Sequence, residues 1–176
     1  MKKAMGYLIL GIFVIICIDN HVAIAQPAPI ENSHASAFTL QAEGLNNEMI
    51  TLNDFEGKFI IVDLWAPWSP TCKHHSNTLK ALAKRFEKKG ENAVILKYAL
   101  ESDRDRWVST VSTHPIEGNV VQARDPLGHA SPIVSQLGIV GPPYLLVFSP
   151  EGDLLYRGPK IDDAYRSLRK AMKRYH

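Results

Sequence analysis

The most informative part of the sequence runs from Phe59 to Lys73 and reads FIIVDLWAPWSPTCK. Its first seven residues are almost continuously apolar, which is typical of a strand buried on both faces of a sheet. From Thr71 to about Lys88 apolar residues recur at helical spacing, and Gly90 follows as a helix-ending residue. The stretch therefore predicts a buried strand that leads through a short turn into a helix, with Cys72 in the first helical turn.

The rest of the chain alternates between strand and helix patterns. Upstream, short β-type runs at 38–40 and 49–52 flank the turn residues 44–47 and predict a hairpin. Downstream we predict strands at 93–100, around 120–121, at 144–148 and at 154–157, and helices at 103–114, 131–137 and from 162 onward. Trp107 is expected in the core, and the basic residues of the last helix on its solvated face. This order indicates an α/β domain with a mixed central sheet.

Length and composition restrict the classes of protein that the chain can be. Its 176 residues suffice for one domain, and its net charge of +2 provides no basic stripe of the kind that binds nucleic acid. Two cysteines are too few for a disulfide scaffold or an all-cysteine zinc site. The composition therefore favours one globular domain.

The N-terminus has the pattern of an export signal. Lys2 and Lys3 precede an apolar run to Ile18, and the small-x-small triplet Ala23–Ala25 follows. We predict a signal peptide at 1–25, a linker at 26–35 and the folded domain at 36–176, in the periplasm or cell envelope. An uncleaved membrane anchor is the alternative; a lipoprotein site at Cys17 is disfavoured because no small residue precedes that cysteine. After cleavage the chain keeps a single thiol, that of Cys72, and no internal disulfide can form.

The junction Trp65–Lys73 resembles that of the thioredoxin fold, W-A-x-W-C-x-x-C-K, with Ser69 in the place of the first cysteine. Four other segments resemble thioredoxin-like proteins of the TlpA and ResA type, in the same order along the chain. They are the lead-in 52–58, the segment 102–107, the stretch 137–144 that would hold a cis-proline, and the turn 149–152. The resemblance implies a thioredoxin-like fold, a mixed central sheet flanked by helices, with an added N-terminal β-hairpin.

The resemblance also implies thiol–disulfide chemistry, altered by the serine. In the family the first cysteine attacks a disulfide and the second resolves the mixed disulfide; Cys72 matches the second. A hydroxyl is a far poorer nucleophile, so Ser69 is predicted to cap the helix by accepting a hydrogen bond from the backbone N–H of Thr71 or Cys72. A nucleophilic serine and a hydrogen bond to substrate are the alternatives. The active-site motif would then comprise Trp68, Ser69, Pro70, Thr71 and Cys72.

Two side chains are candidate modulators of Cys72, whose pKa is expected at or above its reference of about 8.5. Asp63 matches the buried acid that relays a proton to this cysteine in many thioredoxins. His75 lies one turn after Cys72, and its protonated form would favour the thiolate. The alternatives are that Cys72 is small core filler and that His74 and His75 lie on a solvated helix face.

The substrate-binding residues implied by the resemblance are Pro142, Pro143, Trp68 and Tyr144. Pro143 takes the cis-proline position, beside which an extended substrate backbone pairs in the family. With Trp65, these residues are expected to form an apolar rim near the junction.

Three functions remain open at this point. The first is monothiol chemistry of a thiol–disulfide oxidoreductase, with Cys72 and Asp63 as the reacting pair and a thiol- or disulfide-bearing exported protein, or a small thiol, as partner. The second is a non-catalytic binding module that keeps the groove. The third is soft-metal handling by the Cys72 thiolate and the nearby imidazoles of His74 and His75, joined by His114 and His129 only if the fold brings them close. It is disfavoured because one cysteine is missing. No cofactor is expected.

Overall fold

A computed structural model describes residues 40–115 and 117–175 of the chain. The predicted signal peptide at 1–25, the linker at 26–35 and the first two residues of the predicted strand at 38–40 lie outside the described residues. No helix within the described residues is long and apolar enough to cross a membrane.

The described strands form one mixed sheet. Their bounds are β1 Gln41–Gly44, β2 Met49–Thr51, β3 Phe59–Trp65, β4 Ala93–Leu100, β5 Val120–Asp125, β6 Tyr144–Phe148 and β7 Leu154–Gly158. The strand order is β2-β1-β5-β4-β3-β6-β7. The pairs β3–β4 and β4–β5 are parallel, and the other pairs are antiparallel. The predicted mixed sheet is confirmed.

Helices connect the strands where the sequence pattern placed them. Their bounds are α1 Pro70–Lys89, α2 Arg104–Thr113, α3 Pro132–Gln136 and α4 Ile161–Met172. Short 3₁₀ turns occur at Leu52–Phe55 and Gly128–Ala130. The basic residues Arg166 and Lys170 of α4, and Lys173 and Arg174 directly after it, are exposed, as predicted. Arg169 is half-buried instead and pairs with Glu91 over 3.6 Å.

The N-terminal hairpin is confirmed and extends one side of the sheet. β1 pairs with β2 and also with β5. Beside the second pairing, the Arg124 guanidinium donates a 2.5 Å hydrogen bond to the Glu43 carboxylate. β5 is longer than predicted, because it pairs with β4 along its whole length and with β1 near its end. Two of its polar side chains have partners within the fold: Arg124 pairs with Glu43, and Asp125 accepts a 2.7 Å hydrogen bond from the buried Tyr98.

Apolar side chains cover both faces of the sheet. α1 and α4 pack on one face, where Leu79, Phe86 and Leu168 are fully buried. α3 and the 3₁₀ turn Leu52–Phe55 pack on the other face, where side chains of the hairpin join the same cluster. Trp107 of α2 is fully buried, as predicted, in a third cluster with Trp65, Cys72 and Ala99. This third cluster places the end of β3, the start of α1 and the inner side of α2 around the single described cysteine.

Candidate active site

The end of β3 and the start of α1 fix the positions of Ser69 and Cys72. β3 ends at Trp65, and α1 begins at Pro70, a residue favoured in the first helical turn because it lacks the N–H that would be unpaired there. Ser69 is the N-cap residue, and Cys72 is the third helical residue. Both side chains are buried, with Ser69 5% and Cys72 2% exposed.

The predicted capping role of Ser69 is wrong, although its N-cap position is right. Its side chain makes no hydrogen bond to the backbone N–H groups of α1. The hydroxyl instead hydrogen-bonds the sulfur of Cys72, which lowers the pKa of that thiol. The physical reason is that Ser69 is buried against the first helical turn, so that its hydroxyl faces a sulfur acceptor rather than solvent.

Burial nevertheless dominates the acidity of Cys72. Loss of hydration raises the pKa of its thiol, because the charged thiolate is less stable away from water. The Ser69 hydroxyl and the Ala66 backbone lower the pKa, Asp63 raises it and Lys97 lowers it, all by less than burial does. The expected pKa at or above the reference is thus confirmed in direction, and Cys72 is a protonated thiol at neutral pH.

Asp63 lies in a fully buried ion pair. The Lys97 ammonium donates a hydrogen bond to Asp63 Oδ2 and a second, of 3.2 Å, to Ser76 Oγ. It also lies 4.9 Å from the centre of the Trp65 ring. Asp63 Oδ1 has no hydrogen-bond partner among the described residues.

Sequence reasoning missed Lys97, although a signal for it was present. Asp63 and Lys97 are the only charged residues of two otherwise apolar strands, β3 and β4. In the parallel register they stand directly opposite each other. A buried carboxylate needs such a partner, so pairing the two strands would have predicted the ion pair.

The alternative that His74 and His75 lie on a solvated face of the helix is wrong for His75 and right for His74. His75 is only 8% exposed because it shares the buried stripe of α1 with Cys72 and Leu79, three residues before it and four after it. Burial lowers the pKa of His75, and its Nδ1 atom has no partner among the described residues. His75 is therefore neutral at pH 7 and cannot favour the thiolate as a cation. His74 is exposed.

The substrate-binding residues predicted beside the junction lie at the same edge of the sheet. The peptide bond between Pro142 and Pro143 is cis, as the sequence predicted. Tyr144 stands opposite Leu64 in the register of β6 with β3, which places Pro143 next to the end of β3. Trp68 is 56% exposed.

The predicted apolar rim differs in its members. Trp65 is buried on the inner side of the junction and does not belong to it. Leu127 and Val140, in the loops before α3 and β6, are exposed apolar residues that sequence reasoning did not single out. Both residues lie in loops, where the sequence has no hydrophobic periodicity from which their exposure could have been predicted.

The candidate metal ligands are brought together only in part. Cys72 and His114 line the same cleft next to α2, whereas His129 lies beside Trp68, with 5.3 Å between the ring centres. Among residues 40–115 and 117–175, no three His, Cys, Asp or Glu side chains are grouped so that they could hold a metal ion.

Comparison with known proteins gives the family. The AhpC/TSA family matches residues 32–152, which include β1 to β6, the Ser69–Cys72 junction and Pro143. This match covers more than half of the chain. The chain belongs to the AhpC/TSA family. No curated protein is significantly similar to it in sequence.

Several solved structures have the same fold. A thiol-disulfide oxidoreductase from Bacteroides fragilis is 22% identical, with a TM-score of 0.68 over 78% of this chain and 98% of that one. The thioredoxin domain of a thiol-disulfide oxidoreductase from Bacteroides vulgatus is 22% identical, with a TM-score of 0.67 over 79% and 95%. A Chlorobium tepidum protein described as a thiol:disulfide interchange protein DsbE is 18% identical, with a TM-score of 0.67 over 81% and 97%. This AhpC/TSA protein therefore has the predicted thioredoxin-like fold.

Proposed function

We propose that this protein carries out monothiol thiol–disulfide exchange through Cys72, with a thiol- or disulfide-bearing protein or a small thiol as its partner. The observation that carries the proposal is the buried Asp63–Lys97 ion pair behind the thiol. Both charges act on the pKa of Cys72, in opposite directions. The pair therefore belongs to the environment that sets when the thiol ionises.

A purely structural role explains this ion pair poorly. Removing two charges from water is costly, and apolar residues of similar size in place of a buried pair are often neutral or stabilising. A proton-accepting role explains it better, because Asp63 Oδ1 has no hydrogen-bond partner among the described residues and can receive the proton of the thiol.

The exchange step requires no second cysteine in this chain. The Cys72 thiolate attacks one sulfur of a partner disulfide, a new sulfur–sulfur bond forms, and the other partner sulfur leaves as a thiolate that takes up a proton. The Ser69 hydroxyl donates a hydrogen bond to the Cys72 sulfur. A thiol from outside the chain must then release the mixed disulfide, because Ser69 cannot resolve it.

The groove beside Pro143 would hold a protein partner. The end of β3, the loop before β6 and the exposed side chains of Trp68 and Val140 form an apolar surface next to the junction. An extended segment can pair with backbone groups at such an edge. Pro142 and Tyr144, both half-buried, would complete the groove.

We propose further that residues 1–25 are an export signal and that the domain acts in the periplasm or cell envelope. The support is the order of a charged, an apolar and a small-residue segment in the sequence. The test is the intact mass of the protein recovered from a bacterial host. Loss of residues 1–25 supports cleavage after Ala25, and retention of the whole segment supports an anchor.

The test of exchange uses a neutral disulfide, 2-hydroxyethyl disulfide, with the full chain carrying Cys17→Ala so that Cys72 is its only thiol. We expect one adduct by intact mass, formed faster as pH rises above 9, and none in the further variant Cys72→Ser. Asp63→Asn is expected to shift the rate profile to lower pH, since it removes a negative charge that disfavours the thiolate. Ser69→Ala is expected to shift it to higher pH. Absence of any adduct in the folded protein contradicts the proposal.

A non-catalytic binding module is the second candidate, favoured by the 2% exposure of Cys72 and by its raised pKa. It predicts that extended, cysteine-free peptides bind beside Pro143 and change the fluorescence of the exposed Trp68. The affinity should be unchanged in Cys72→Ala and weakened in Val140→Asp. Peptide binding without any disulfide exchange would favour this candidate over monothiol chemistry.

A further inference from the structure

Cys72 lines a cleft that is separate from the Pro143 groove. The cleft has a volume of about 230 Å³, room for about seven water molecules at roughly 30 Å³ each. It lies between the first turns of α1, the last turns of α2 and the strands β3 to β5. Trp68, Pro142 and Pro143 are not among its lining residues. A ligand of amino-acid or short-peptide size could therefore approach the thiol from the α2 side.

The inner wall offers hydrogen-bonding atoms that the protein leaves unused. Trp65 lines the cleft and is only 7% exposed, yet its indole Nε1–H has no partner among the described residues. Gln122 also lines the cleft, and its buried Oε1 is likewise without a described partner. Buried polar atoms are normally paired, so an unpaired donor and an unpaired acceptor at one cleft point to a polar ligand. Ala66 and Val111 supply apolar surface beside them.

The charges of the cleft favour an anion. Lys73, Lys80 and Lys97 line it, and no carboxylate does. Asp63 balances the charge of Lys97. Lys73 and Lys80 form no ion pair with any described residue, whereas Lys84, one turn further along α1, pairs with Glu117 over 3.2 Å. Two uncompensated ammonium groups at the mouth of a cleft raise the local concentration of small anions.

We propose that the cleft between α1 and α2 binds small anionic disulfides of amino-acid to short-peptide size and presents them to Cys72. This inference rests on the proposed monothiol function and names one substrate class for it. Carboxylates of the ligand face Lys73 and Lys80, and its polar body meets Trp65 Nε1 and Gln122 Oε1.

The reaction balances without any further oxidant. The ligand disulfide is reduced and Cys72 is oxidised to a mixed disulfide. The ligand sulfur–sulfur bond breaks while the bond from Cys72 to one ligand sulfur forms. The proton of the Cys72 thiol is released, and the leaving thiolate takes up one proton.

The experiment compares three disulfides of similar length on the full chain carrying Cys17→Ala. They are the dianionic 3,3′-dithiodipropionate, the neutral 2-hydroxyethyl disulfide and the dicationic cystamine. Adduct formation on Cys72 is followed by intact mass at one pH and low salt. Each rate is divided by that of the same reagent with the urea-unfolded chain, because the three leaving thiols differ in pKa and therefore in intrinsic reactivity. On this normalised scale we expect dithiodipropionate to react roughly tenfold faster than cystamine, with the neutral reagent between them, and salt to reduce this difference.

Two matched double variants locate the charge effect. Lys73→Gln with Lys80→Gln removes the two lysines of the cleft and should abolish most of the preference for the anion. Lys88→Gln with Lys89→Gln makes the same change in net charge at the exposed end of α1 and should leave the preference intact. Asn77→Trp, which fills the cleft from an exposed position of α1, should slow all three reagents, whereas Thr78→Trp, at the next exposed position of α1 and outside the cleft, should not.

The outcomes separate this inference from the function on which it rests. Equal normalised rates for the three reagents, or equal effects of the two double variants, would overturn the anion-binding cleft while leaving monothiol exchange in place. Equal rates in Asn77→Trp and Thr78→Trp would show that reagents do not enter through the cleft, and would also overturn it. Absence of an adduct with all three reagents would overturn both.

Discussion

Ser69 and Cys72 define the chemistry available at the start of α1. The serine stands where a nucleophilic cysteine would sit at a helix N-terminus, the position at which the helix dipole lowers a thiol pKa. The remaining thiol lies one turn inside, where burial raises its pKa. The hydrogen bond from the Ser69 hydroxyl to the Cys72 sulfur places the two side chains within bonding reach of each other.

Restoring the cysteine should therefore restore a dithiol site. We predict that Ser69→Cys forms an internal disulfide with Cys72 on oxidation and gains at least about tenfold in the reduction of insulin disulfides by dithiothreitol, because the new thiol has a resolving partner. Ser69→Ala is the control and should show no gain. A variant that folds but keeps two free thiols under oxidising conditions would show that the two positions are misaligned for exchange.

His75 should make the stability of the domain sensitive to acid. Burial lowers the pKa of His75 in the folded state. Below about pH 6.5 its imidazole is therefore protonated in the unfolded chain while it is still neutral in the folded protein. The free energy of unfolding should therefore fall as pH drops below 6.5. Urea titrations between pH 7 and pH 5 should show this loss in the parent and in His74→Gln, and a smaller loss in His75→Leu. Equal losses of the free energy of unfolding in all three proteins would contradict the assignment of this acid sensitivity to the buried His75.

The pairing of β3 with β4 fixes the ion pair that underlies the site. Leaving one member of a buried pair without its partner typically costs about 3–5 kcal/mol. We predict a loss of that size in the free energy of unfolding for Lys97→Met. The double variant Asp63→Leu with Lys97→Met should recover most of it, because no charge then remains buried. Urea unfolding measures both, and a double variant as unstable as the single one would argue that the pair itself stabilises the fold.

The end of α1 depends on the backbone of Gly90. This residue has φ +61°, in the left-handed region, and a Cβ built there would contact nothing within 4 Å. We predict that Gly90→Ala lowers the free energy of unfolding by about 1 kcal/mol through backbone strain alone. Gly141→Ala is the matched control, because Gly141 has equally open surroundings and no positive φ. It should be neutral or slightly stabilising in thermal unfolding. Equal effects would exclude strain as the cause.

Strands and helices with one strong hydrophobic pattern could be predicted from the sequence, whereas the contacts between them could not. The apolar run of β3 and the helical spacing of α1 predicted both elements to within about a residue, because burial on one stripe or both faces leaves a direct trace. β5 was predicted too short, since its polar residues acquire partners only from the neighbouring strands β4 and β1. Lys97 was missed for the same reason, as its role depends on the register of two strands.

For the residues of the candidate site, the sequence predicted their positions better than it predicted their roles. Pro143 was placed correctly as a cis-proline because the surrounding motif is local. Ser69 was predicted as a cap and His75 as a solvated or cationic side chain. Both depend on how deeply the first turns of α1 are buried, which α2 and the rest of the sheet determine.

At the scale of the whole molecule, a thioredoxin-like fold of the AhpC/TSA family presents one buried thiol to two separate surfaces. The Pro143 groove suits an extended protein segment, and the cleft beside α2 suits a small anion. In the monothiol function that we propose, the domain exchanges disulfides with either kind of partner without forming one of its own. The proposed exchange therefore requires that the Cys72 thiol reacts in the folded state despite its burial.

The most direct test is the pH dependence of iodoacetamide alkylation of Cys72 in the folded protein carrying Cys17→Ala. We predict a rate that is proportional to iodoacetamide concentration and lower at pH 7 than that of the unfolded chain. Because burial raises the pKa of the Cys72 thiol, the rate should rise with pH to a midpoint above that of the unfolded chain. A rate independent of reagent concentration and equal to the rate of unfolding would contradict the account. Cys72 would then be reached only when the domain opens, and its thiol would be part of the core.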